Sequence, residues 1–274
     1  MQVPVKDSNV SNLANFHLEL LEIKDKLNFV SPSVDISSEV KNKWLEGTPI
    51  LAELQPIVEA ELFHEILLDV ARACQKWQPG PNVPSKDIIS KIEKSNEKDI
   101  QSLANAAIKN SRNDIKKWAQ KLEISKDLLE FLTLNSSRPF LQIFASEVLA
   151  KLDLNKWTKG YCPICGSSPV MARLTKDKGV RKLYCSCCET EWRYSRIGCP
   201  FCESKDSAKI SFIRSEDYKQ YRLYLCDECK SYLKTVDERE CSETDLFCED
   251  LATMEFDRLA ISEGYQRGSN RYYV

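Results

Sequence analysis

Four Cys-x-x-Cys pairs fall between positions 162 and 229: Cys162 with Cys165, Cys185 with Cys188, Cys199 with Cys202, and Cys226 with Cys229. Two residues between ligands let one tight turn present both sulfurs, and four thiolates complete the tetrahedron of a bound metal ion. Eight thiolates in this pattern point to two separate four-cysteine sites. The spacing is specific for metal binding and silent about any reaction.

The chain has 274 residues, 42% of them apolar and 29% charged, enough for one large domain or two smaller ones with a proper core. No apolar run is long enough to span a membrane, and the N-terminus, Met1-Gln2-Val3-Pro4-Val5-Lys6-Asp7, shows no export signal. The chain is therefore expected to be unprocessed and cytoplasmic, where paired thiols serve as metal ligands rather than disulfides. The net charge of −2 gives no argument for nucleic acid. Residues 159–234 carry 15 Lys+Arg against 9 Asp+Glu, and residues 235–274 carry 4 against 10. Two divalent ions in eight thiolates would offset most of the first excess, which weakens a phosphate-binding reading of that region.

Up to about residue 155 the pattern is helical, with one cysteine, Cys74, and both histidines, His17 and His64. Leu13, Phe16, Leu20, Leu21 and Leu27 recur on one face, as do Leu51, Leu54, Val58, Leu62, Ile66 and Val70, introduced by Thr48-Pro49 as cap and first-turn proline. Pro79-Gly80-Pro81-Asn82-Val83-Pro84 interrupts helix. Further apolar stripes cover 88–108, 115–122 and 128–134, and a last one begins after Arg138-Pro139. A bundle of six or seven helices is expected. Beyond Asn155–Lys159, glycines cluster beside the cysteines and short β-type runs replace the helical period.

The cysteine region repeats internally. Gly160-Tyr-Cys-Pro-Ile-Cys165 matches Gly198-Cys-Pro-Phe-Cys202, and Leu183-Tyr184-Cys185 matches Tyr224-Leu225-Cys226. Each unit reads as knuckle, hairpin, strand, knuckle, then a strand containing Trp192 or Leu233. Such a unit is too small to fold on apolar burial alone; a structural zinc contributes about 10–16 kcal/mol apparent in peptide systems. The repeat favours sequential sites, Cys162/Cys165/Cys185/Cys188 and Cys199/Cys202/Cys226/Cys229, with a cross-braced pairing as the alternative. Gly166 suits the knuckle turn. Glu189, Glu203 and Lys230 hold the equivalent places, so those turns are strained or built differently.

Cys187 offers a rival thiol in the second knuckle, although the two-residue spacing favours Cys188. Cys241 and Cys248 read as semi-buried or free thiols, Cys74 as core, and the histidines as core or surface residues. No catalytic residue set can be assembled, and neither thioredoxin-type redox nor a bacterial iron–sulfur pattern fits four pairs in a duplicated frame. Trp192, alternating with solvent-facing Glu191 and Arg193, reads as cover for the first site. Arg193, Arg196 and Lys182 read as a solvated face rather than an anion clamp.

Taken together, Trp157-x-x-Gly160-Tyr161-Cys162-Pro163-Ile164-Cys165-Gly166-Ser167, Leu183-Tyr184-Cys185-Ser186-x-Cys188-Glu189-Thr190-Glu191-Trp192, Gly198-Cys199-x-x-Cys202, Cys226-Asp227-x-Cys229-x-x-Tyr232-Leu233-Lys234 and Asp250-Leu251-Ala252-Thr253 resemble the formate dehydrogenase accessory protein family, FdhE. A looser echo occurs at Gly47-Thr48-Pro49-Ile50-Leu51. The resemblance implies an all-α domain over 1–156, rubredoxin-like subdomains over 157–196 and 197–238, and a C-terminal segment with a short helix over 239–274. It implies metal ligation by all eight paired cysteines, with iron favoured and zinc possible. The implied function is non-enzymatic: assembly of active formate dehydrogenase through its molybdenum- or tungsten-containing catalytic subunit. A rubredoxin-like electron-transfer or redox-sensing role toward the same client is the alternative.

Overall fold

The computed structural model describes residues 8–25, 34–77, 83–214 and 216–268. Leu27 of the first stripe and positions 79–82 of the proline–glycine segment lie outside them. Eight helices precede the cysteine region among the described residues: α1 (Ser8–Asp25), α2 (Ser38–Glu46), α3 (Ile50–Glu53), α4 (Ala60–Trp77), α5 (Lys86–Glu93), α6 (Glu97–Ile108), α7 (Arg112–Leu122) and α8 (Lys126–Leu149). None of the described helices is long and apolar enough to cross a membrane.

Two prolines explain where this differs from the periodicity. The stripe from Leu51 to Val70 is two helices, because α3 ends at an extended Leu54 and 54–59 carry no helix. Pro56 removes a donor and pushes Gln55 away from helical dihedrals. Pro49 sits at the N-cap of α3, one place before the first turn. Pro139 does the opposite of what is expected, lying inside the continuous α8. The polar residues before it bond back within the helix: Thr133 Oγ1 to the Leu129 carbonyl (2.7 Å), Ser136 Oγ to Leu132 (2.7 Å) and Asn135 Nδ2 to Phe131 (2.8 Å). These buried hydroxyls and this amide are thus satisfied locally, within a helix that continues past the proline.

The chain forms two compact units, Met1–Ser33 with Gln55–Phe144, and Val34–Leu54 with Ala145–Val274. In the first, α4 packs against α1, α5 and α6 and buries Phe63, Ile66, Leu67, Val70 and Cys74. Phe63 meets Phe140 of α8 at 6.3 Å between ring centres, and Phe16 stacks on Phe131 at 5.7 Å.

In the second unit the duplication is laid out as strands. The first repeat supplies β1 (Met171–Leu174), β2 (Arg181–Tyr184) and β3 (Glu191–Arg193); the second supplies β4 (Ile210–Arg214), β5 (Tyr221–Cys226) and β6 (Ser231–Asp237). Trp192 lies in β3 and Leu233 in β6, as the repeat requires. Both sets join one sheet of order β3-β2-β1-β6-β5-β4. Neighbours are antiparallel except at the seam, where β1 runs parallel to β6 from Met171↔Lys234 to Leu174↔Asp237.

The tail forms α9 (Leu246–Ala252), α10 (Met254–Ser262) and β7 (Gln266–Arg267), two helices where one is expected. Thr253 separates them and donates its hydroxyl to the Glu249 carbonyl at 2.6 Å. Lys234, on β6, holds this tail. Its ammonium reaches Asp250 Oδ1 at 2.6 Å and Asp257 Oδ2 at 2.7 Å, while Arg267 bonds the same two carboxylates. The Asp250-Leu-Ala-Thr segment therefore anchors the tail to the sheet.

Candidate metal centres

Each knuckle folds the same way for a local reason. The first cysteine's N–H bonds the carbonyl five residues on: Cys162 to Ser167 (2.9 Å), Cys185 to Thr190 (3.0 Å) and Cys199 to Ser204 (2.9 Å). The N–H four residues on bonds back to that cysteine's carbonyl: Gly166 to Cys162 (2.9 Å), Glu189 to Cys185 (2.9 Å) and Glu203 to Cys199 (3.0 Å). Closing this loop demands a left-handed residue after the second cysteine. Gly166 has φ +76°, and Glu189 (+58°), Glu203 (+60°) and Lys230 (+53°) adopt the same conformation despite their side chains. The turns are built alike, three of them carrying strain of about 1–2 kcal/mol each.

These turns bring the sulfurs of Cys162, Cys165, Cys185 and Cys188 within 4.8 Å of one another, and those of Cys199, Cys202, Cys226 and Cys229 likewise. The grouping is sequential, not cross-braced. Separations across the first quartet are 3.4 Å for Cys162–Cys188 and 3.4 Å for Cys165–Cys185. In the second they are 3.6 Å for Cys199–Cys229 and 3.7 Å for Cys202–Cys226. A metal–sulfur bond of about 2.3 Å in a tetrahedron gives edges of about 3.8 Å. Either quartet could hold an ion, and the donors suit zinc and iron equally. Cys187, half-buried, is outside the quartet.

The two quartets differ in depth. All four cysteines of the first are buried, whereas Cys202 reaches the surface and Cys229 is half-buried. Hydrogen bonds from Cys162, Cys185, Cys187 and Cys188 hold the Cys165 thiol well below its ordinary range, while burial raises Cys162 and Cys188. In the second quartet burial pushes Cys202 up to about 11. An ion entering either quartet must therefore displace protons.

One regular feature escapes the sequence reading although its signal is present. A hydroxyl residue stands two places after every second cysteine: Ser167, Thr190, Ser204 and Ser231. Ser167 Oγ lies 3.3 Å from Cys165 Sγ and Thr190 Oγ1 lies 3.1 Å from Cys188 Sγ, while Ser231 hydrogen-bonds Cys229. Toward a thiolate such a hydroxyl is a donor, orienting the ligand from behind.

The first quartet is also braced from α2 and α3. Ile50 and Leu51 donate the N–H groups at the start of α3 to the carbonyls of Pro163 (3.1 Å) and Ile164 (2.8 Å), inside the first knuckle. Trp44 donates Nε1–H to Pro163 (3.2 Å) and stacks on Trp157 at 5.3 Å, and Tyr161 donates its hydroxyl to Gly47 (2.7 Å). The faint Gly47–Leu51 motif is thus a clamp on the metal turn. Between the repeats, Gly160 lies so close to the third knuckle that a Cβ there would sit 1.9 Å from the Pro200 carbonyl oxygen.

Other residues singled out by the sequence fall as follows. Trp192 is buried and donates to the Lys159 carbonyl at 3.1 Å. Glu191 is not solvent-facing: it is half-buried against Arg173 at 2.7 Å, with burial raising its carboxyl. Cys74 is core, its thiol pushed up to about 11 by burial. Cys241 and Cys248 join neither quartet. His64 Nε2 lies 2.8 Å from the Ile92 carbonyl, and His17 packs edge-on against Phe16.

A family described as FdhE, central domain, matches residues 161–196, and one described as FdhE, C-terminal domain, matches 197–274. An FdhE homolog of Aquifex aeolicus is 30% identical over 267 residues, covering 93% of this chain and 86% of its own. FdhE of Escherichia coli K12 is 25% identical over 240 residues, covering 86% of this chain and 72% of its own. The crystal structure of FdhE from Pseudomonas aeruginosa superposes with a TM-score of 0.57 at 20% identity, covering 97% of this chain and 94% of that one, a likeness of fold.

Proposed function

The chain belongs to the FdhE family, and we propose from this that it acts as a cytoplasmic accessory protein in maturation of formate dehydrogenase, binding the molybdenum- or tungsten-containing catalytic subunit without turning over a substrate. The observation that carries this reading is kinship along 93% of the chain to an FdhE homolog. In it, Cys162, Cys165, Cys185 and Cys188 hold one ion, and Cys199, Cys202, Cys226 and Cys229 hold a second. A quartet of thiolates fills a tetrahedral ion's coordination sphere and leaves no position for substrate, the mark of a structural rather than catalytic metal. The ion's contribution is to stabilise the turns that the unit presents.

The test is co-purification of the catalytic subunit with the intact chain, and its loss on Cys185→Ser or Cys226→Ser. Equal capture by a variant lacking both ions refutes the platform role. A redox reading draws on one observation, the surface position of Cys202, which gives an iron ion in the second quartet a short path for electrons. Anaerobically purified protein that is colourless and contains only zinc excludes it.

A further inference from the structure

The second unit holds a cavity of about 630 Å³ whose wall has five cationic side chains and no carboxylate. Lys178 comes from the β1–β2 turn, Arg181 from β2 and Arg193 from β3. Arg196 comes from the link to the third knuckle, and Lys205 follows that knuckle. The wall therefore draws on both repeats and borders the second quartet, since Gly198 precedes Cys199 and Tyr194 donates its hydroxyl to the Cys199 carbonyl at 3.1 Å. Its volume is in the range of pockets for small organic ligands.

Arg181 distinguishes this wall from a solvated basic face. It is 2% exposed, stacked over the Tyr224 ring at 4.3 Å. Its Nη1 donates to the carbonyls of Ser195 (3.2 Å) and Gly198 (2.9 Å), yet its Nε–H is buried with no acceptor. None of the five cations forms an ion pair with a carboxylate among the described residues. Elsewhere in this unit buried cations are matched: Arg173 by Glu191 and Glu238, Arg222 by Asp237, Lys234 by Asp250 and Asp257. Burial works against the charge of Arg181, only partly offset by Tyr224, Tyr194 and Cys199 and by no carboxylate, and a bound anion would recover stability that this burial costs.

We propose that this cavity binds a small phosphate-bearing anion. One carboxylate would leave most of the five charges unanswered, whereas a diphosphate brings two or three negative charges and the several acceptors that guanidinium forks engage in pairs. Arg193 and Arg196 are exposed, as a solvated face requires, and line this cavity together with buried Arg181, whereas exposed Lys182 does not. This proposal goes beyond the accessory role and does not depend on it.

The test is titration calorimetry of the full-length, metal-loaded chain with inorganic pyrophosphate, ADP, adenosine and a short single-stranded DNA. Pyrophosphate and ADP are expected to bind at one site. Comparable affinity for the two means that phosphate alone is recognised, and a preference for ADP means a nucleotide; either supports the proposal. The exposed pair Arg193→Ala/Arg196→Ala is expected to weaken binding by at least about tenfold, the loss of one charge-assisted hydrogen bond, while metal content is retained. Lys219→Ala, outside the wall, leaves binding unchanged. Absence of binding by pyrophosphate and ADP, equal binding of adenosine, binding of DNA alone, or an equal loss in Lys219→Ala each overturns it.

Discussion

The N–H of Leu51 bonds the carbonyl of Ile164 at 2.8 Å, so a short helix from the N-terminal half completes the turn that presents Cys162 and Cys165. The first N–H groups of a helix have no partner within it, and here a metal knuckle supplies the acceptors. Trp44 buttresses the same turn. Trp44→Ala removes a buried aromatic at a cost of about 3–5 kcal/mol. Metal should then leave the first quartet faster than the second under a chelator, reversing the order expected from burial; release kinetics followed with a colorimetric chelator check this.

Wild-type protein is expected to carry two ions per chain. Replacing Cys185 or Cys226 with serine should remove one each and loosen near-UV circular dichroism in the second unit. Cys187→Ser, Cys241→Ser and Cys248→Ser should retain both. Metal analysis of purified variants reads the outcome, and loss of an ion in Cys187→Ser would reassign the second knuckle.

Gly160→Ala forces a methyl against the backbone of Pro200, where nothing flexible can yield. The expected cost is about 1–3 kcal/mol in denaturant unfolding, the range for overpacking. Gly264 has φ +82° but open space around its missing Cβ, so Gly264→Ala should cost only the smaller penalty of a left-handed alanine. Equal effects in the two variants would mean that the repeats do not press together at this point.

Acid should loosen the tail. Burial works to raise Asp257, but hydrogen bonds from Lys234 and Tyr232 outweigh it and hold its carboxyl below the ordinary value; Asp237 is likewise lowered on balance, its burial offset by Arg239 and Arg222. Folded values lower than unfolded ones give stability that is complete above the unfolded pKa, about 3.9, and fades as pH falls through the folded value. Proteolysis of the tail by an acid protease should therefore rise below about pH 4, and Asp257→Asn should abolish much of that dependence while weakening the tail at neutral pH.

Local chemistry explains what could be read from the chain in advance. The Cys-x-x-Cys spacing and the internal repeat pointed to both quartets, because ligand turns are fixed by residues a few positions apart. Pro56 and Pro139 were harder: one broke a convincing stripe, and the other sits inside a helix that continues through it. The clamp by Ile50 and Leu51 left only a faint motif, since it is made of backbone groups distant in sequence. The grouping of Lys178 and Lys205 with Arg193 was not legible for the same reason, because these residues come together only once the strands assemble.

The parallel ladder between β1 and β6 closes the duplication in the middle of a sheet. Cutting the gene between the repeats would leave two raw strand edges, each a template for aggregation. Neither half can be borrowed as a stand-alone module; what began as a tandem copy has become a single indivisible piece.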